Sequence, residues 1–271
     1  MILFANAKIN IGLQVIAKRP DGYHELNSVL YPLPIYDIIE LSEIGSAETI
    51  LNMQGEHIPG NRVDNLCLRA FLLLKEDHDI PSVSIDLIKQ IPIGAGLGGG
   101  SADASFVLKG LNALFHLNLT NEQLEGYAAR LGADCPFFVA NNPVFATGIG
   151  TDFKPLDLNL DAYHIAVIMP NIHISTVEAY SGVQPKMSEI KLEEAIRLPI
   201  QEWKFHIRND FEDGIFERYP LLKEIKEALY QKGAVYASMS GSGAAIYGIF
   251  WKKTDLTELE KYGKIYHPTK L

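Results

Sequence analysis

Apolar and smaller or polar residues alternate along Ile9, Ile11, Leu13 and Val15, the period-two pattern of a half-buried β-strand. The run Lys18-Arg19-Pro20-Asp21-Gly22-Tyr23 then supplies turn chemistry, with Pro20 fixing φ and Asp21-Gly22 favouring a tight reversal. Strands are predicted near Ser28–Leu33 and Asp37–Glu43, and a helix of apolar period three to four over Asn65–Leu74. Val83–Lys89 alternates again and leads into Pro92. Beyond a glycine run, Ser101 is a favoured N-cap type for a helix whose apolar face holds Phe106, Val107, Leu108, Leu111, Leu114 and Phe115. Thr120-Asn121-Glu122-Gln123 reads as a capping box opening a further helix, which is expected to stop at Leu131-Gly132.

The texture of the second half differs. Residues 144–157 read as a hairpin around Gly148 and Gly150, and Ala162–Met169 as a continuous apolar strand. Residues 176–230 are charged and predominantly helical in pattern. Two short strands, Ala234–Met239 and Ala244–Phe250, flank Ser240-Gly241-Ser242-Gly243. The mixture is that of an α+β protein, with a domain boundary expected near residue 155.

Composition narrows the chemistry. Hydrophobic residues make up 47% of the 271, which supports a sizeable core. A net charge of −9 argues against a nucleic-acid or anionic-membrane partner, since both demand a basic face. It leaves room for a phosphorylated small molecule, because local amides hold a phosphate whatever the global field. Cys67 and Cys135 have neither C-x-x-C nor metal-ligand spacing, so structural zinc and a disulfide scaffold are not expected. The N-terminus runs straight into strand pattern and no apolar run nears ~20 residues, so a cytoplasmic location is expected.

The candidate chemistry lies at Gly94, Gly96, Gly98, Gly99 and Gly100. Glycine is entropically costly there, so the segment needs torsions or close approaches that a Cβ forbids. A strand, a glycine turn and a helix start put free N–H groups and the positive end of a dipole at one spot, which suits an anion. A Walker A loop would end in Gly-Lys-Ser/Thr, and Gly100-Ser101-Ala102 lacks the lysine. Gly94-x-Gly96-x-x-Gly99 matches the dinucleotide pattern, but a helix start at Leu119–Gln123 replaces the strand and ribose-binding acid expected there.

The whole run Pro92-Ile93-Gly94-Ala95-Gly96-Leu97-Gly98-Gly99-Gly100-Ser101-Ala102 resembles the phosphate loop of the GHMP kinases, which include the galacto-, homoserine, mevalonate and phosphomevalonate kinases. Ala7-Lys8-Ile9-Asn10-Ile11-Gly12 resembles that family's first motif. Ser238-Met239-Ser240-Gly241-Ser242-Gly243-Ala244 resembles its third, a glycine turn lying against the phosphate loop. The resemblance implies an ATP-binding N-terminal domain over 1–155, like domain 2 of ribosomal protein S5, and a ferredoxin-like C-terminal domain over 156–271. It further implies ATP with Mg²⁺ at residues 92–102 and at Lys89, and catalytic roles for Lys8 and Asp134.

Arg19-Pro20-Asp21-Gly22-Tyr23-His24-Glu25 and Leu131-Gly132-Ala133-Asp134-Cys135-Pro136 are similar to the branch that phosphorylates a cytidylylated methylerythritol in isoprenoid biosynthesis. By that resemblance Tyr23 would stack on the cytosine, His24 would hydrogen-bond its edge, and Asn10 and Thr176 would contact the substrate. A monomer or weak homodimer is expected, with no metal ligand assigned to a side chain. A GHMP kinase for another small alcohol, or an inactive GHMP-fold sensor, stays open at this level. The chain departs from the branch at Ala102, where many members carry a second serine, and at Thr151, where an acid is frequent. Asp103, in the first helical turn, is expected to favour the helix dipole. The histidines at 57, 78, 116, 164, 173, 206 and 267 lack ligand spacing and are expected at the surface or in packing.

Overall fold

The computed structural model describes residues 1–56, 61–183, 185 and 190–269. His57 and part of the predicted helical span 176–230 lie outside the described residues. The chain divides into two compact units. One comprises residues 1–7, 35–93 and 98–142, and the other residues 8–34, 94–97 and 143–271. Two long strands, β1 (Ile2–Lys18) and β2 (His24–Glu43), contribute residues to both. The two strands predicted over 28–43 are thus one.

In the first unit, β3 (Ile50–Gly55), α1 (Leu66–Asp77) and β4 (Val83–Lys89) precede the glycine run. Strand β4 pairs in parallel with β3 and antiparallel with β2, in the register Ile38 opposite Ile88 through Glu43 opposite Val83. Asn65 caps α1 by accepting from Cys67 N–H, as asparagine does at helix starts. The helices α2 (Gly99–Leu114), α3 (Asn121–Ala129) and α4 (Phe137–Ala140) follow. Thr120 and Gln123 form the predicted capping box at α3. Helix α2 buries Ala104, Val107, Leu108 and Leu111. It lies so close to the strands that a Cβ at Gly110 would fall within 2.6 Å of side-chain carbons of Leu3 and Leu41.

In the second unit, β5 (Val144–Thr147) and β6 (Asp152–Pro155) form the predicted hairpin, and β5 pairs with residues 28–30 of β2. Strand β7 (His164–Met169) leads to α5 (Thr176–Ser181), α6 (Leu192–Ala195), α7 (Ile200–His206), α8 (Phe211–Arg218) and α9 (Pro220–Gln231). Then come β8 (Tyr236–Met239), β9 (Ile246–Phe250) and β10 (Lys264–Tyr266). These make an antiparallel sheet in the order β10-β7-β9-β8. Leu222, Ile225 and Leu229 of α9 join Ala237, Met239 and Ile246 in one core. Their i, i+3, i+7 spacing is the apolar stripe of a helix laid on a sheet.

Strand β1 corrects the half-buried reading. Residues 5–15 are buried without interruption, so both faces of the strand are covered. Asn6, Lys8, Asn10 and Gln14 are therefore interior polar groups, and such groups persist where they are hydrogen-bonded or used.

Candidate active site

The glycine run leaves β4 and enters α2 through three left-handed residues, Gly94, Gly96 and Gly98, with φ of +66°, +73° and +71°. Residues with a Cβ rarely adopt such torsions. Helix α2 begins at Gly99, and its N-cap is Gly98, three residues before the predicted cap Ser101 and without a side-chain cap. Ser101 is therefore inside the first turn, with its hydroxyl free of capping duty. The first helical bond runs from Ala102 N–H to Gly98 O at 2.9 Å. A helix start leaves the amides of its opening turn without intrahelical acceptors, and here no side-chain cap fills that role. With sixteen residues of aligned peptide dipoles behind it, this turn suits an anion.

Beneath the loop, in the first unit, lies an arrangement that the sequence does not announce. Lys89 is not a strand-end lysine reaching for nucleotide. It is 3% exposed, and its ammonium is held between Asp37 and Asp103, the latter at 2.8 Å. Asp37 also accepts from the amides of Gln90 and Ile91, the first residues past β4. The expected contact between Lys89 and ATP thus gives way to a buried clasp that joins the strand end to α2. Asp103 likewise does not serve the helix dipole; it is an interior carboxylate whose Oδ1 has no hydrogen-bond partner among the described residues. Burial, aided by Asp37 and opposed by Lys89, pushes its pKa up to about 8. Gly99 is required here, because a Cβ would lie 2.8 Å from Ile91 Cγ2 and 3.1 Å from Lys89 Nζ.

Asp134 is half-buried in the turn before α4. Cys135 N–H donates to Gly132 O at 3.1 Å, and Ser105 of α2 donates to Cys135 O at 2.7 Å, so the turn is fastened to α2. Burial pushes the Cys135 thiol up to about 11, which fits a packed residue and not a nucleophile.

In the second unit, Lys8 is 4% exposed and donates through Nζ to Asn10 Oδ1 at 2.5 Å, while its amide donates to Leu97 O at 2.9 Å. Asn10 Nδ2 donates to Ser28 Oγ, which passes the chain on to Gly12 O. Both ends of the Asn10 side chain are thus engaged inside the protein. Asn10 holds the Lys8 ammonium from inside the protein. Ser240, in the third glycine motif, accepts from Asn10 N–H at 3.2 Å and donates to Gly96 O at 2.8 Å. Ala245 N–H donates to Ala95 O. A Cβ at Gly96 would lie 2.0 Å from Ser240 O, so glycine is obligatory twice over. Gly96→Ala is expected to weaken ATP binding by about tenfold or more through backbone strain. Gly100→Ala, whose Cβ meets nothing nearer than Leu66 Cδ1 at 3.9 Å, is expected to leave the melting temperature unchanged. Nucleotide titration and thermal melts of the two variants check both statements.

The predicted substrate residues fall at different depths. Tyr23 is 62% exposed on the turn held by Arg19, Asp21 and Glu25. His24 is half-buried and stacks on Tyr180, with ring centroids 4.6 Å apart, and Tyr180 meets Phe211 edge-on. Thr176 is exposed at the first position of α5, which Ser175 caps. Nothing in the sequence spacing singles out the ring of Tyr180. Asn209, Asp210 and Glu212, all buried, also escaped the pattern reading, since isolated polar residues at a helix start look like solvated ones.

Two family descriptions match the chain: GHMP kinases N terminal domain over residues 65–142, and GHMP kinases C terminal over residues 193–265. Among curated relatives, "4-diphosphocytidyl-2-C-methyl-D-erythritol kinase" of Bacteroides fragilis is 48% identical over 262 residues, covering 96% of each chain. The protein of that name from Chlorobium phaeobacteroides is 37% identical, over 98% of this chain and 95% of its own. A solved 4-(cytidine 5'-diphospho)-2C-methyl-D-erythritol kinase superposes with a TM-score of 0.83 at 31% identity, covering 99% and 98% of the two chains. A mevalonate kinase superposes at 0.72 with 14% identity over 98% of each, a likeness of fold alone.

Proposed function

Since this chain belongs to the GHMP kinases, and within them to the 4-diphosphocytidyl-2-C-methyl-D-erythritol kinases, we propose that it transfers the γ-phosphate of ATP to the 2-hydroxyl of 4-diphosphocytidyl-2-C-methyl-D-erythritol, a step toward isoprenoid precursors. The observation that carries the choice of substrate is near-half identity sustained over 96% of both chains. The glycine run supports the choice of donor. Its left-handed glycines and the uncapped start of α2 suit the phosphates of ATP.

In this reading the acceptor hydroxyl oxygen bonds to the γ-phosphorus as the bond from that phosphorus to the β,γ-bridging oxygen breaks, and ADP leaves. The hydroxyl proton passes to the Asp134 carboxylate and then to solvent. Lys8, held by Asn10, sets positive charge against the transferred phosphoryl group. Positioning and electrostatics carry the rate, and no covalent enzyme intermediate forms. Mg²⁺ would enter on the nucleotide and shield its charge. Among the described residues no three His, Cys, Asp or Glu side chains gather for a metal; in this reading the phosphates would hold the ion and the Ser101 hydroxyl would be the side chain available to it.

Tyr23 and His24 would hold the cytosine, with the exposed Tyr23 ring as its stacking face. Thr176 would reach the substrate from the start of α5. No helix among the described residues is long and apolar enough to cross a membrane. In this reading the enzyme works in the cytoplasm as a monomer or weak homodimer. The test is ADP release with the cytidylyl substrate. Tyr23→Ala is expected to raise its KM by about tenfold, in line with ~1–3 kcal/mol per stacked base, and to leave the KM for ATP unchanged. An unchanged KM for the cytidylyl substrate would overturn the cytidine assignment.

A further inference from the structure

Residues 208–212 join β1 to the third glycine motif within the second unit, although no motif above includes them. The segment between α7 and α8 adds a short parallel bridge to β1: Leu13 N–H donates to Arg208 O at 3.1 Å, and Asp210 N–H donates to Leu13 O at 2.8 Å. Asp210 Oδ2 accepts from Val15 N–H at 2.8 Å. The segment is thereby fixed to the strand that carries Lys8 and Asn10.

From that anchorage the Asn209 side chain, 2% exposed, reaches the third glycine motif. Its Nδ2 donates to Met239 O at 2.9 Å and to Gly241 O at 2.7 Å, while Oδ1 accepts from Phe211 N–H at 3.0 Å. The two carbonyls flank Ser240, whose hydroxyl grips Gly96 O in the glycine arch. Glu212 holds the same strand end, accepting from Met239 N–H at 2.8 Å and Ser238 Oγ at 3.0 Å, with Lys226 balancing its charge.

We propose that Asn209 is a positioning residue for phosphoryl transfer: it holds the Ser240–Gly243 turn in the register in which Ser240 clamps the glycine arch. The inference rests on the kinase reading of that arch. The chemistry selects asparagine. Two carbonyl oxygens converge on one amide nitrogen that carries two hydrogens, one for each. An aspartate of the same shape would set a carboxylate oxygen against both carbonyls in a dry interior and supply no donor. The backbone at 239 and 241 would then turn away, and Ser240 would lose its alignment with Gly96.

The experiment compares Asn209→Asp, Asn209→Ser and Ser240→Ala, and the double variant Asn209→Asp with Ser240→Ala, in the full chain. The readouts are affinity for Mg²⁺ with the non-hydrolysable analogue AMP-PNP, kcat with the cytidylyl substrate, and melting temperature. Asn209→Asp is expected to weaken AMP-PNP binding by about tenfold, the scale of lost buried hydrogen bonds. Ser240→Ala is expected to do the same, and the double variant to be no weaker than the worse single one, because both act through one turn. Asn209→Ser, which keeps one donor, is expected to fall between Asp and wild type. If Asn209→Asp does not fold, Asn209→Ser and Ser240→Ala decide between the same outcomes. A lowered melting temperature with wild-type AMP-PNP affinity and kcat in the folded fraction would reduce Asn209 to a stability role and overturn the proposal. Additive losses in the double variant would overturn it too. A wild-type chain that bound no AMP-PNP would sink the kinase reading itself, a separate result.

Discussion

Asp134→Asn is expected to lower kcat by about 10²–10⁴-fold, the range for removing a general base, while the protein folds and binds ATP as before. The amide preserves the volume of the side chain but no longer takes the hydroxyl proton. The Cys135–Gly132 backbone bond and the Ser105–Cys135 bond also hold its turn in place. The measurement is single-turnover phosphotransfer at saturating ATP, with AMP-PNP titration alongside. A kcat equal to that of wild type would remove Asp134 from the chemistry. Weakened AMP-PNP binding with kcat retained would move it from proton transfer to nucleotide placement.

Lys89→Met is expected to lower stability by about 3–5 kcal/mol, the cost of leaving interior carboxylates without their cation. For a chain of this size that corresponds to a fall of roughly 10 °C in melting temperature. Asp103→Asn in the Lys89→Met background is expected to recover part of the loss above about pH 8, where Asp103 would otherwise ionise beside Asp37 without its cation. The sign of the pH dependence follows from Asp103. Its carboxyl in the folded chain is pushed up to about 8 by burial, against an ordinary value near 4 in the unfolded chain. The folded state therefore binds its proton more tightly, and this contribution to stability is full below about pH 4 and lost as pH rises through about 8. Melting temperatures across that range should fall more steeply in wild type than in Asp103→Asn. Parallel curves would show that Asp103 is ionised throughout. A Lys89→Met variant as stable as wild type would show that the clasp contributes nothing.

Much of the frame was legible because it rests on local patterns. Val83–Lys89 alternates and is β4; Thr120 and Gln123 cap α3; the glycines about residue 149 turn the β5–β6 hairpin. The passage from strand through glycine turn to helix was legible for the same reason, since its parts are consecutive. What stayed hidden depends on distant partners. Lys89 resembles any strand-end lysine until Asp37, 52 positions earlier, closes on it. The link from Lys8 through Asn10 to Ser28 is equally hidden, because Ser28 lies on the next strand. The depth of β1 was misread because alternation signals one wet face, whereas here the polar face is interior. Ser101 has the chemistry of an N-cap, but left-handed glycine at 98 starts the helix before it.

The bond from Val15 to Asp210 spans 195 positions and closes a unit whose strand β1 is made first and whose partners are made last. On the ribosome, at about 5–20 residues per second, this half of β1 emerges on the order of 10–40 s before Asp210 exists. The backbone amides of Asn10, Leu13 and Val15 must wait in water, or on a chaperone, for acceptors at Ser240, Arg208 and Asp210 that are still untranslated. The chain order that gathers Lys8, Ser240 and the glycine arch into one unit therefore commits the nascent protein to a long unpaired interval, in which exposed strand surface can recruit another copy.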